Sequence, residues 1–211
     1  MSEFIFPDES KFSGGTVTGS EGLGDESFDY DEFFKDFDMP SVEKIIKTGI
    51  SAPTAFKVIT SHMGERDGDE HEGLDIRARL GTPIMAFQDG IVRQVSRTFE
   101  EGKGPGKFVV IENPQTAELH KYYHLSEIDP DIQVGLKIAS GQSFGKAGNT
   151  GRSRGSHLHF EIHKADEAGV YAPVSPIELY PDHFAEYTDK ATGEPVNIDS
   201  ILKLNTRIPS S

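Results

Sequence analysis

Two histidine-bearing segments hold the side chains best placed to do chemistry. His157-Leu158-His159 lies in residues 148–162, GNTGRSRGSHLHFEI, and His71-Glu72-Gly73-Leu74-Asp75 lies upstream. Successive side chains of an extended strand point to opposite faces. His157, His159 and Glu161 therefore share one face, with Leu158, Phe160 and Ile162 on the other. Two imidazoles backed by an apolar face suit a metal site or an acid–base pair, although HxH alone also fits a solvated strand face. His71 and Asp75 are four residues apart and reach one point if the backbone turns at Gly73. Imidazole and carboxylate are ordinary zinc ligands, and three protein ligands plus water is the catalytic arrangement. His71, Asp75 and one histidine of the HxH pair make such a set. The chain has no cysteine, so His, Asp and Glu must supply any metal ligands.

The elements that position these residues read as short strands. LDIRA, PIMAF, GIVRQVSRTF, KFVVIEN and AELHKYYH are β-rich runs separated by Gly, Pro and Asp-Gly turns, with little helical periodicity. The fold class predicted is all-β, a compact antiparallel sheet or sandwich. Residues 41–60 are a lead-in, with a short helix ended by Gly49 and a first strand in AFKVIT. Residues 61–74 read as a charged loop, residues 61–180 as the compact domain, and residues 181–211 as a polar tail with an amphipathic piece, IDSILKL. In residues 1–40 eleven acids stand against Lys11 and Lys35, and Tyr30, Phe33, Phe34 and Phe37 recur at i, i+3, i+4, i+7. That spacing marks one face of a short helix, an arm expected to dock on its own domain or on a partner.

Charge and hydropathy exclude several classes. The formal charge of −14 over 211 residues opposes binding to nucleic-acid phosphates or anionic lipid. No run approaches the roughly 20 apolar residues of a spanning helix, so membrane insertion is not expected. The first residues lack the basic start and apolar run of a secretory signal, so no export signal is expected.

Together HEGLDIRARLGTPIMAFQDGIV, YYHLS, GNTGRSRGSHLHFEI and PVSPIELY, in that order over roughly residues 60–180, resemble the lysostaphin-type (LytM-like) zinc endopeptidases acting on peptidoglycan. The resemblance implies the fold of that family, a compact antiparallel structure of the duplicated hybrid motif type with a narrow groove over the metal. It implies one Zn²⁺ per chain held by His71, Asp75 and His159. It makes His124 and His157 the catalytic pair. Where the family commonly has a small residue, Gly and Pro before HLHFE, this chain has Arg154-Gly155-Ser156, and His62-Met63-Gly64 stands where an aromatic-Gly pair is usual.

The remaining candidates follow strand parity. Tyr122 shares parity with His124 and is expected to contact substrate, as is Asn149 in the turn before the HxH strand. His120 and His163 are expected at the solvated surface, His183 in the tail, and His62 in a loop flanking the groove. Glu72 and Glu161 are candidates for orienting the ligand imidazoles. The function the resemblance implies is hydrolysis of peptide bonds in the stem peptide or cross-bridge of peptidoglycan by a zinc metalloendopeptidase. The substrate lies outside the cell membrane, so delivery in a phage virion, through contacts of the arm with other virion (tail) proteins, is expected. The main rival is a binding or assembly module of a larger complex with a vestigial or structural metal site. A sugar-phosphotransfer domain of similar β architecture is a weaker rival, since it needs a histidine pair but no HxxxD.

Overall fold

The computed structural model describes residues 49–66 and 69–197. The acidic aromatic arm, the helix expected before Gly49 and the amphipathic piece IDSILKL lie outside the described residues. Among those described are β1 (Val58–Ser61), β2 (Gly64–Arg66), β3 (Asp69–His71), β4 (Leu74–Arg77), β5 (Pro83–Met85) and β6 (Gly90–Ser96). There follow β7 (Lys107–Asn113), β8 (Glu118–Ile128), β9 (Lys137–Ile138), β10 (Ser143–Ala147), β11 (His157–Ala165) and β12 (Tyr171–Val174). Two short helices, α1 (Pro176–Leu179) and α2 (Pro181–Phe184), precede β13 (Thr188–Asp189).

Eleven strands make one sheet in the order β13-β1-β4-β11-β8-β7-β6-β9, with β12 on β11 and β10 joining β5 to β8. The pairings are antiparallel, as expected, except that β1 runs parallel to β13. β7 and β8 form the hairpin expected across Pro114. β2 and β3 pair separately, Gly64 facing His71, where a charged loop was expected. The polar composition excluded a core strand, but a two-stranded ribbon that packs no core needs no apolar face.

Alternation along the central strands builds the core. Leu74 and Ile76 of β4, Leu158, Phe160 and Ile162 of β11, and Tyr122 of β8 are all fully buried on one face. Phe87 sits beneath them, its ring 5.3 Å from Phe160 and 5.2 Å from Tyr180. The helices close this side. Each opens on proline, whose missing N–H costs nothing at a helix start, and Ser175 caps α1 by accepting the Glu178 N–H at 3.3 Å. The stretch after residue 180 is more than a polar tail: Phe184 and Tyr187 are fully buried in the core. Apolar residues spaced three apart in an otherwise charged segment carried that information.

A polar network is also buried here. Glu118 accepts from Tyr180 Oη at 2.7 Å and pairs with His120 Nε2 at 3.2 Å, and Tyr180 Oη accepts from Gln88 Nε2 at 2.8 Å. His120, expected at the surface, is fully buried. It shares the inner face of β8 with Glu118 and Tyr122, where a carboxylate partner makes an imidazole tolerable. Among the described residues no helix is long and apolar enough to cross a membrane.

Tyr122 belongs to this core and not to a substrate surface: its hydroxyl accepts the Phe87 backbone N–H at 2.8 Å. Replacing Tyr122 with Phe leaves that buried N–H unpaired, at a cost of about 1–3 kcal/mol. Urea unfolding should show the loss as a lower midpoint at unchanged slope. An unchanged midpoint would mean that the hydroxyl has no part in holding the core.

Candidate metal centre

Strand register brings the sequence-distant candidate ligands together. β11 lies between β4 and β8, with His159 opposite Asp75 on one side and opposite Tyr123 on the other. Directly opposed residues on one face have Cβ atoms about 4.5–5.5 Å apart, so the pairing itself delivers Asp75 to His159. His71 arrives from the end of β3 through the turn at Gly73. That turn presses on β11 so closely that a Cβ at residue 73 would lie 2.4 Å from the Phe160 carbonyl oxygen. Only glycine fits there.

Three acceptors converge on one point. His71 Nε2 lies 3.0 Å from His159 Nδ1, and Asp75 Oδ1 lies 3.1 and 2.9 Å from those two nitrogens. The other nitrogen of each ring is already committed. His71 Nδ1 donates to the His62 carbonyl at 2.6 Å, and His159 Nε2 donates to Glu161 Oε1 at 3.0 Å. A carbonyl and a carboxylate only accept, so in the neutral rings both inward nitrogens present lone pairs. Two lone pairs and a carboxylate oxygen within 4.8 Å of one another, nearly buried, suit a cation between them, a proton or a metal. Burial alone would raise the Asp75 carboxyl, but hydrogen bonds from His157, His159 and His71 outweigh it and hold it far below the usual carboxylate range. Burial likewise opposes charge on His159, yet its bonds to Asp75 and Glu161 lift it to about 9; a proton then sits on Nδ1, and it must leave before that nitrogen can hold a metal. The donor set fits a divalent metal that takes nitrogen and oxygen ligands.

Two further imidazoles flank this point. His124 has a left-handed backbone (φ 63°), uncommon for a residue other than glycine. Its N–H is held by the Pro105 carbonyl at 2.9 Å and its Nδ1 donates to the Thr150 carbonyl at 2.8 Å. Burial, opposed in part by the Thr150 bond, brings the ring down to about 4, so His124 is neutral near pH 7. His157 donates through Nδ1 to the Gly155 carbonyl at 2.7 Å, and its Nε2 lies 3.3 Å from Asp75 Oδ1. The two rings are 4.9 Å apart, centre to centre. All five residues line a cleft of about 740 Å³, within the usual span for a ligand site.

Not every expected contact is there. Tyr122 is core, and Asn149 is exposed and outside the residues lining the cleft. Parity failed at Tyr122 because the β7–β8 register shifts between Lys107 and Val109, where the left-handed His124 turns the chain over. Tyr123 takes the place expected of Tyr122, stacked on His159 with ring centres 5.5 Å apart and planes parallel. His62 is half-buried and bonded to Asp189 at 2.8 Å, and it serves the centre through its carbonyl. His183 is half-buried on α2, its ring 5.3 Å from Phe87.

His163, expected in solvent, is buried and packs on the carboxylate that holds His159. Glu161 Oε2 lies 2.7 Å from His163 Nε2 and 3.1 Å from Lys121 Nζ. Glu72, Glu161 and His163 form a second acceptor-rich group. The Lys121 ammonium, 2.8 Å from His163 Nε2, supplies the positive charge there.

The domain resembles known proteins. Residues 69–171 match peptidase family M23. The peptidoglycan DD-endopeptidase ShyA of Vibrio cholerae is 38% identical over 92 residues, 44% of this chain and 20% of its own length. The DD-carboxypeptidase/endopeptidase Mpg of Neisseria gonorrhoeae is 31% identical over 140 residues, 66% of this chain and 29% of its own. The chain thus spans less than a third of these curated relatives. Among solved structures, the antimicrobial peptidase lysostaphin of Staphylococcus simulans shares the fold, with a TM-score of 0.50 at 23% identity, covering 60% of this chain and 50% of that one. Residues 69–171 thus form a domain of peptidase family M23.

Proposed function

We propose that this domain is a zinc metalloendopeptidase that hydrolyses peptide bonds of peptidoglycan. The observation that carries the reading is the convergence of His71 Nε2, Asp75 Oδ1 and His159 Nδ1 on one point of an open cleft, with two more imidazoles beside it. The relatives named as peptidoglycan endopeptidases support the substrate.

In this reading His71, Asp75 and His159 hold the zinc. Bound there, zinc supplies Lewis-acid polarisation of a scissile carbonyl and brings the pKa of a water to about 7. The chain's own residues do the rest. His124, neutral and fixed by Thr150, keeps Nε2 free as an acceptor for the proton of the attacking water. His157, oriented by the Gly155 carbonyl, stands on the same side of the cleft to donate to the developing oxyanion or to the leaving amine. Tyr123 walls the cleft beside His159. Glu161 fixes the His159 tautomer and is itself neutralised by Lys121. For delivery, we propose that the acidic aromatic arm docks on proteins of a phage virion; the support is the helical spacing of its aromatic residues. Loss of co-sedimentation with purified particles on deletion of residues 1–40 tests that part alone.

Mass analysis of purified peptidoglycan after digestion tests the activity: new amino termini within stem peptides or bridges are expected, abolished by a chelator and restored by zinc. Removing a ligand by Asp75→Ala or His159→Ala should cost both zinc and turnover. A full zinc complement in Asp75→Ala, by elemental analysis, would contradict the ligand assignment.

His124→Ala and His157→Ala should keep zinc and lose about 10²–10⁴ in kcat. Zinc lost in proportion to activity would exchange the ligand and acid–base roles.

Glu161→Gln should weaken zinc binding about 10–100-fold, measured by chelator competition, with kcat recovering at saturating zinc. An unchanged affinity would show that the carboxylate does not orient His159.

A further inference from the structure

Most basic side chains of the described residues are spent on partners within the domain. Lys57 pairs with Glu186, Lys121 with Glu161, Lys146 with Glu127, Lys164 with Glu118 and Arg93 with Glu112. Arg97 donates to the Asp129, Pro130 and Ile132 carbonyls. Arg77, Arg79 and Arg154 differ: each is exposed, and among the described residues none of the three has a hydrogen bond or ion pair from its side chain. They also gather in one place. β4 ends at Arg77, which stands opposite His157 at the start of β11, and paired strands run about 4.8 Å apart. One residue further along each segment, Ser156 Oγ donates to the Ala78 carbonyl at 2.9 Å, which brings Arg79 alongside Gly155 and Arg154. The Arg79 carbonyl accepts the Thr82 N–H at 3.0 Å, and Gly81 N–H donates to the Ala147 carbonyl at 2.9 Å, so the turn that carries Arg79 is pinned to the domain. Arg154 lines the cleft beside His157. The acid closest in sequence to Arg77, Asp75, is committed to His71, His157 and His159. Three guanidinium groups without a counter-charge thus stand at the lip of the cleft, in a chain whose formal charge is −14.

A guanidinium is a rigid fork of donors, charged at every working pH, and it matches the oxygens of a phosphate two at a time. The carboxylate pairs of this domain use mainly lysine, whereas the cluster is arginine throughout. Three separate forks suit an anion that repeats along a chain, since a single small anion meets only one or two of them. We infer that Arg77, Arg79 and Arg154 form a docking lip for a linear phosphodiester polymer of the polyol-phosphate kind, held along the edge of the cleft. A nucleic acid offers the same phosphate but fits less well. A duplex is broad enough to meet the acidic remainder of the surface, which repels it. Leu80, 71% exposed beside Arg79, is no aromatic platform for the bases of a single strand. The inference does not depend on the peptidase reading, because binding alone reports it.

The test uses the full chain and a fluorescent poly(glycerol phosphate) of defined length, followed by anisotropy as salt is raised. Wild type should bind with a log–log salt slope of about −2, at roughly −0.7 for each of three phosphates. Arg77→Gln, Arg79→Gln and Arg154→Gln should each weaken binding about 2–5-fold, and the triple variant about 10–100-fold, with its slope brought near zero. Replacing all three with lysine keeps the charge and loses the fork, so binding should fall part of the way. Lys137→Gln controls for net charge: Lys137 is exposed and lies on β9, at the far edge of the sheet, and its loss should change nothing. The single variants decide if the triple variant does not fold. No binding by wild type, or equal binding by wild type and the arginine variants, overturns the inference. Poly-L-glutamate or single-stranded DNA of equal charge, bound as tightly as the polyol phosphate, would overturn the choice of polymer.

Discussion

Everything at the centre hangs on the registry of three antiparallel strands, in which Asp75 and Tyr123 flank His159. A slip of one residue would exchange the faces of β11, sending Leu158 and Phe160 into the cleft and both histidines into the core. The apolar face forbids that slip, since Leu74, Ile76, Leu158 and Phe160 have no other place to be buried. Hydrophobic burial, which is indifferent to chemistry, thereby sets ring nitrogens and a carboxylate oxygen within hydrogen-bond distance. The central strand acts as a partition, with packing on one side and titratable groups on the other.

That partition carries an electrostatic cost. A nearly buried carboxylate among imidazoles is tolerable only when each lone pair and proton is matched. The matching extends outward in two steps: Glu161 accepts from His159, and Lys121 and His163 gather on the far oxygen of Glu161. The inner core shows the same logic with other residues, where Glu118 answers both His120 and Tyr180. His71, Asp75 and His159 differ from these pairs in that, with neutral rings, their inward atoms are all acceptors.

Much of this was legible because side-chain type and strand parity are local properties. HxH with alternating Leu, Phe and Ile fixed which face of β11 meets the core, and Gly73 between His71 and Asp75 marked the turn that joins them. What was not legible depended on backbone events that leave little trace in residue types. The left-handed turn at His124 inverted the parity of β8, so that Tyr123 rather than Tyr122 reaches the cleft, and so that His120 points inward. The carbonyls of His62 and Thr150, which set two histidine tautomers, belong to residues whose side chains gave no such signal. The burial of Phe184 and Tyr187 went unseen because their three-residue spacing, the one trace of it, is too short to set a strand or helix pattern among charges.

The loops around Gly106 and Gly151 pack so closely that a Cβ at residue 151 would lie 2.3 Å from the Gly106 nitrogen, and this limits how the cleft can change over time. Backbone packed on backbone leaves no side chain there to vary, so the wall can hardly be widened or tilted by point substitution. It also spends its conformational entropy at folding, leaving little ordering to be done when a ligand arrives. On that rigid seam the exposed side chains of Arg152 and Arg154 are the ones open to exchange, whereas Ser153 between them lies 3.3 Å from His157 Nδ1. The lining of this part of the cleft can thus change while the packing beneath it stays fixed.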